Sequence, residues 1–277
     1  MKLFTFLFLT SCLWLKESLA QKQPYHYNLE VVYEMSYRPD SLNLSKVEGE
    51  FMTLLVGNEQ SVFCASKYLL MDSAIVAELR KGNTLGPPMS FFQQYGTHYS
   101  QVIFKDTSTI ITVENPSRFT SATRYRYTEP RSVINWTMSE DTLSIAGILC
   151  QKAMANFGNR EWIAWFAPSV PVSDGPYKFC GLPGLIFEVY DTKQHWSFKL
   201  ASLKATSKEL ELSFSNNKPV PIASKEAFLS KRKYHRDNRF NLMKLRGSTF
   251  SDPVAFKKDF EEQAKHDNNW IELYNGE

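Results

Sequence analysis

The five histidines, His26, His98, His195, His235 and His266, stand singly along the 277 residues. None belongs to an HExxH helix, whose two imidazoles one turn apart would hold a zinc ion. No serine sits in a GxSxG elbow, which would lift a nucleophile onto a sharp strand-to-helix turn. The chain carries neither a phosphate-cradling P-loop nor a Gly-rich dinucleotide fingerprint. Cys64, Cys150 and Cys180 form no CxxC pair, so thioredoxin-like and zinc-ribbon chemistry is excluded. They read either as small buried hydrophobes or, in an oxidising compartment, as one Cys150–Cys180 bridge. A triad assembled in space follows geometry and not chain order, so the residues leave that route open. The motifs point to no catalytic group, no cofactor and no metal.

Recognition chemistry is concentrated in Ser173-Asp174-Gly175-Pro176-Tyr177-Lys178-Phe179-Cys180-Gly181-Leu182-Pro183-Gly184-Leu185-Ile186-Phe187. Tyr177 and Phe179 can supply large contact area at low entropy cost, and Lys178 a single charge. Pro183 presets φ for the second residue of a turn, and Gly184 supplies the positive φ that a type II turn needs next. Gly181 permits a close backbone approach. Leu185-Ile186-Phe187 then enters a strand apolar on both faces. Tyr177, Phe179, Gly181, Leu182, Pro183, Gly184, Leu185 and Ile186 form the candidate motif. It has two readings: a turn and strand needed for folding, or a ligand-binding loop on a rigid sheet, with affinity over Pro171–Gly184.

Residues 181–186 spell GLPGLI. Matching flanks are Gly147-Ile148-Leu149-Cys150-Gln151-Lys152-Ala153, Glu161–Pro168 with Trp162 and Trp165, and Gly175–Phe179. On these residues the stretch Asp141–Asp191 resembles the GLPGLI family of exported Bacteroidetes-type proteins. Cys180 departs from the family pattern, standing where Gly or another small residue is expected. The resemblance implies an envelope location and a mostly β fold, and it brings no reaction and no catalytic residues.

Such a loop needs a sheet to hold it. Tyr25, Tyr27, Leu29, Val31, Tyr33, Met35 and Tyr37 are apolar at successive odd positions, the period of a half-buried strand. Strands are also expected over 50–56, 60–65, 99–105, 109–114, 121–127 and 133–138. Two hairpins follow: Ile148–Phe157 with Glu161–Ala167, and Leu185–Tyr190 with His195–Leu203. Trp162 and Trp165, three apart, face opposite sides of their strand. Ile163 and the turn to Pro168 mark Trp165 as the inner one. One short helix is expected near 72–81, with Asp72 or Ser73 as cap and Gly82 as stop. Ser224 starts a helix reaching about Arg246 and Ser251-Asp252-Pro253 a second. The expected class is α+β, mostly β. It is a curved antiparallel sheet or half-barrel of about ten strands with a helical segment from about residue 223, and the lack of strand–helix alternation argues against a parallel Rossmann-type sheet.

Lys2, the apolar run Leu3–Leu9 resuming at Leu13-Trp14-Leu15, and Ser18-Leu19-Ala20 read as a signal peptide, residues 1–20. The run falls short of the ~20 residues a membrane span requires. A rival reading takes Leu9-Thr10-Ser11-Cys12 as a lipobox that lipidates Cys12. Residues 21–277 then form one β-rich domain, located in the periplasm or at the outer membrane. A net charge of +3 is too weak to imply nucleic acid. Residues 224–246 hold eight basic and two acidic side chains, and 247–277 three and seven. Either the acidic stretch lies against the basic helix, or Lys231, Arg232, Lys233 and Arg236 make a weak contact with an anionic surface. The expected function is a non-enzymatic binding or accessory module for a peptide, lipid or protein partner. The alternative is an envelope hydrolase whose site the sequence does not display.

Overall fold

The computed structural model describes residues 25–83, 88–97, 99–117, 120–210, 212 and 218–273. The expected signal peptide, with Cys12, lies outside the described residues. The strands, in chain order, are β1 (Tyr25–Tyr37), β2 (Glu48–Gly57), β3 (Ser61–Ala65), β4 (Val102–Lys105), β5 (Thr109–Glu114), β6 (Tyr125–Pro130), β7 (Thr137–Ile145), β8 (Ile148–Phe157), β9 (Arg160–Ala167), β10 (Leu185–Asp191), β11 (Trp196–Leu210) and β12 (Val220–Pro221). They join one sheet in the order β12-β6-β5-β4-β3-β2-β1-β11-β10-β9-β8-β7. Neighbours are antiparallel except β12, which runs parallel to β6. The mostly β, curled antiparallel architecture expected from the sequence is the one observed, with both expected hairpins in place.

The central strand β1 shows why the sheet needs little else to specify it. Tyr27, Val31, Tyr33 and Met35 are buried on its inner face. Long runs of pairing to β2 and β11 hold it on both edges. The sheet curls so far that its ends approach each other. Lys178 Nζ lies 2.5 Å from Glu129 on β6 and 5.8 Å from the ring of Phe157 on β8, strands near opposite ends of the order.

Five helices complete the described residues: α1 (Ser66–Arg80), α2 (Met89–Tyr95), α3 (Lys225–Asp237), α4 (Arg239–Leu245) and α5 (Pro253–His266). Four differ from expectation, α2 among them because no helix is expected between 82 and 223. α1 begins six residues earlier than Asp72 because β3 runs straight into it, with Ala65 extended as its cap residue and no side-chain cap. Asp72 is instead buried within the helix. The helix expected from Ser224 to Arg246 breaks at Asn238, whose side-chain amide donates to Tyr234 O at 3.0 Å, so two helices stand there. Ser224 caps α3 as expected, accepting from Ala227 N. No helix among the described residues is long and apolar enough to cross a membrane.

One further expectation is corrected. Trp162, not Trp165, is the core residue, at 1% exposure. Arg160, Trp162, Ala164 and Phe166 face inward on β9, whereas Trp165 pairs across the strands with Glu188 and Lys152. Of the two readings of the cysteines, the one as small buried hydrophobes is observed, and the Cys150–Cys180 bridge is not. Cys64, Cys150 and Cys180 are all free and buried.

Candidate functional site

The connection from β9 to β10, residues 168–184, does not lie on the surface. It turns back into the curled sheet and fills it. Asp174–Cys180 is continuously buried. Phe179, fully buried, sits among Trp162, Phe157, Tyr177, Trp136 and Phe198, with ring centroids 4.5 to 6.3 Å away. Asp174 is ion-paired with Lys105 on β4 and accepts from Ser61 Oγ on β3 at 2.5 Å. Lys105 Nζ also donates to Gly175 O and Tyr177 O, at 2.6 and 3.1 Å. These bonds hold Tyr177 in the left-handed region, φ +52°, where a bulky residue is strained.

The candidate motif therefore packs as an internal plug. Tyr177, Phe179, Leu182, Leu185 and Ile186 are at most 2% exposed, while Gly181 and Pro183 reach the surface. The glycines exchange their expected roles. Gly181 carries the positive φ of +93°, and Gly184 does not have one. Gly184 is needed for close approach, since a Cβ there would collide with the Ala167 carbonyl. The expectation that Tyr177 and Phe179 present contact area from a surface loop meets their burial, which leaves neither ring accessible in this conformation.

A second segment, residues 267–273, crosses one rim of the curled sheet as a strap following α5, without helix or strand. It meets the plug at a buried ionic cluster. Glu272 accepts from Lys178 Nζ and Tyr177 OH, each at 2.5 Å, and is paired with Lys225 at 2.8 Å. Glu129 on β6 is 2.5 Å from Lys178 and 2.9 Å from Lys225. Burial alone would push the Glu272 carboxyl up, but the two ammonium groups outweigh it and hold it down, to about 2. Burial works against the charged form of Lys178 as well, yet Glu272 and Glu129 hold its pKa above the ordinary lysine value. Tyr177 is pushed well above the usual phenol range by burial and the Glu272 charge, so it remains a donor.

The strap's backbone is gripped residue by residue. Trp196 Nε1 donates to Asn269 O at 2.9 Å. Arg160 donates to Trp270 O at 2.6 Å and to Ile271 O at 3.2 Å, and is ion-paired with Asp191 at 3.0 Å. Leu273 N donates to Gly158 O at 2.9 Å. Gly158 has φ +60°, and a Cβ there would stand 2.8 Å from the Glu272 side chain. Asn269, Ile271 and Glu272 are buried at 3 to 5% exposure.

Clefts of about 700 and 680 Å³ flank the strap, and Asn269 lines both. The first is bordered by Arg160, Asp191, Lys193, His195 and Lys265. The second combines Tyr37, Tyr99, Trp196 and Trp270 with Arg232, Arg236 and Arg239. Arg232 Nη2 bonds both oxygens of Glu114, at 2.6 and 2.7 Å, and its guanidinium lies 4.8 Å over the Trp270 ring. Arg236 lies over the same ring and pairs with Asp237. Lys231 lies over the Tyr125 ring, and Lys233, 44% exposed, pairs with Asp237. The basic stretch is thus divided, with both arginines committed to internal partners. The acidic segment does lie against it in part, through Lys225–Glu272 and Arg236 Nη1 to Asp267 O at 3.3 Å.

The described cysteines are not in activating settings. Burial pushes the Cys64 and Cys180 thiols up and the Cys150 thiol to about 11, so none is a thiolate near neutral pH. His235 Nδ1 faces Thr120 Oγ1 and His266 Nδ1 faces Asp40, each at 2.7 Å, apart from one another. No cluster of three His, Cys, Asp or Glu with metal-holding geometry occurs among the described residues. Sequence reasoning passed over Glu129, Arg160, Asp191, Lys225 and Glu272. The one local signal was a charged residue set inside an apolar strand or loop, as at Lys105 and Lys178.

These features define a class of curled β-sheet with an internal plug and helices across one rim. The family profile described as "Protein of unknown function (Porph_ging)" matches residues 158–188, from the β8–β9 turn through the plug into β10. Two solved structures of PNGF-II share the fold. The one in the C2 space group has a TM-score of 0.51 and 12% identity, covering 76% of this chain and 33% of that one. The one in the P21 space group has a TM-score of 0.52 and 11% identity, covering 76% and 34%. The chain thus spans about a third of the length of those proteins. No curated protein sequence matches the chain.

Proposed function

We propose that the chain is a GLPGLI-type exported protein of the cell envelope, acting as a non-enzymatic binding module for a protein partner that it engages through a peptide segment. One observation carries this reading: the rim cleft of about 680 Å³, where Tyr37, Tyr99, Trp196 and Trp270 stand beside Arg232, Arg236 and Arg239. Aromatic rings and guanidinium groups in one concave site are the chemistry of protein recognition. The plug supports the reading from below. It makes the sheet a rigid frame, which moves the recognition surface from the 171–184 connection to the rim. The family match at residues 158–188 fits a protein without an assigned reaction. Lys231 and Lys233 supply a weak, salt-sensitive contact with an anionic envelope surface.

Co-purification from envelope fractions, with the partner identified by mass spectrometry, tests the proposal. Arg236→Glu should lose the partner in a chain that still folds, with a melting curve lowered by the lost contacts to Trp270, Asp237 and Asp267 O. A partner retained by that variant, or turnover of ester or peptide substrates by the purified chain, would overturn it.

A further inference from the structure

We propose that the groove now holding residues 269–273 is a peptide-binding site, occupied in cis, whose ligand in trans is an extended segment of a partner protein carrying an aliphatic residue followed by an acidic one. This deepens the binding-module reading and rests on it.

Three observations converge. The first is backbone grip. Trp196 Nε1 and Arg160 donate to the carbonyls of three consecutive residues, 269 to 271, and Gly158 O accepts from the amide of residue 273. Such bonds do not depend on side-chain identity, so they serve any extended peptide. The second is charge. Without Glu272, buried Lys178 and Glu129 with half-buried Lys225 carry a net positive charge, and Tyr177 OH loses its acceptor. The groove therefore demands a carboxylate at one position, and an uncharged peptide cannot satisfy it. The third is space. The clefts share Asn269 of the strap together with Arg236 and Ala264, so the strap lies between them beside α3 and α5, and its withdrawal would open the rim from one cleft toward the other. The strap follows α5, a helix with no buried residue, and its first residues are tethered to the β1–β2 connection, where Asn268 N and Asn269 N donate to Pro39 O and Asn269 Nδ2 to Arg38 O, so the opening is confined to residues 270–273.

The strained Tyr177 backbone belongs to the same arrangement. The bonds from Lys105 fix the plug so that Tyr177 OH and Lys178 Nζ meet the incoming carboxylate already positioned.

The test uses the full chain with Glu272→Gln, which weakens cis occupancy, and a fluorescein-labelled peptide with the sequence of residues 267–273. By anisotropy, the E272Q chain should bind this peptide on the order of tenfold or more tighter than the wild-type chain does, and a peptide with Gln at the acidic position should bind more weakly by a similar factor. Equal binding of the acidic and Gln peptides, or no binding to E272Q, overturns the proposal. So does a stable E272Q dimer on dilution, which would make a second copy's strap the occupant. If E272Q does not fold, hydrogen exchange of the wild-type chain decides. The Leu273 amide, bonded to Gly158 O, should exchange on the order of tenfold faster than those of β1, by local opening. Exchange at the β1 rate would show a strap that leaves only on global unfolding and overturns the idea. Failure of the binding-module reading gives a different result: the peptide binds E272Q, yet no envelope partner co-purifies.

Discussion

Lys178→Met tests whether the buried cluster balances its charges as the structure requires. Lys178 and Lys225 face Glu129 and Glu272, two positive against two negative groups, with Lys178 fully buried and Glu272 nearly so. Methionine keeps the volume and removes one positive charge. One carboxylate is then left without a counter-charge in a site closed to water, which costs about 3–5 kcal/mol. Lys178→Met with Glu272→Gln restores neutrality around Lys225 and Glu129, and Gln still accepts from Tyr177 OH. The double variant should come within about 2 kcal/mol of wild type, since a charge-balanced replacement of a buried pair is close to neutral. Urea unfolding at pH 7.5, followed by tryptophan fluorescence, measures both. The pH dependence gives an independent sign. Without Lys178, Glu272 loses the ammonium group that does most to hold its carboxyl down, so its folded-state value rises. Protonation then relieves the variant as pH falls, and its deficit should be smaller at pH 5 than at pH 7.5. A single variant destabilised by under about 1 kcal/mol, or a double variant no better than the single, would refute the charge balance.

Phe179→Ala should cost about 3–5 kcal/mol in the same assay, because the ring is fully buried among five other aromatic rings. Gly184→Ala should destabilise by about 1–3 kcal/mol through the Ala167 carbonyl, whereas exposed Pro183→Ala should cost under about 1 kcal/mol. Wild-type stability should fall between about pH 4.5 and pH 2: the Glu272 carboxyl is depressed in the fold from 4.5 to about 2, so its contribution is present above the ordinary value and lost as pH drops through the folded one. All three described cysteines should resist a thiol reagent in the native chain at pH 8 and react together in denaturant, because each is buried with its thiol pushed up.

What could be read in the chain follows from the range of each interaction. The alternation at Tyr25–Tyr37 and the hairpins around Gly158-Asn159 and Asp191–Lys193 are local, so β1, β8–β9 and β10–β11 were legible. Period two separates the faces of β9 but does not say which is inner. Trp162 and Trp165 are equally apolar, and the choice is made by Phe179, 4.5 Å from Trp162 and on another element. The plug was misplaced for a related reason. A Pro- and Gly-rich connection between hairpins is ordinarily a surface loop. Here a curled sheet leaves an interior too large for its own side chains, and residues 174–180 fill it. Lys178 stands out locally as a charge in an apolar loop, but nothing local names its partners, because Glu129 and Glu272 are 49 and 94 residues away.

The plug and the strap also explain one another. A lysine at the centre of an aromatic core is costly unless it is matched, and Glu129 supplies half of what Lys178 and Lys225 require. The plug cannot supply the rest, since its own acid, Asp174, is ion-paired with Lys105 on β4. The missing charge has to come from the rim, and Glu272 brings it. A core closed entirely by apolar contacts would accept any greasy segment at its mouth. This one accepts a segment only in the register that sets a carboxylate between two ammonium groups and a phenol, with Gly158 clearing room for its side chain. The buried charge therefore gives less in stability than in selectivity. It makes the fit of the strap, or of a peptide that replaces it, depend on a single acidic residue.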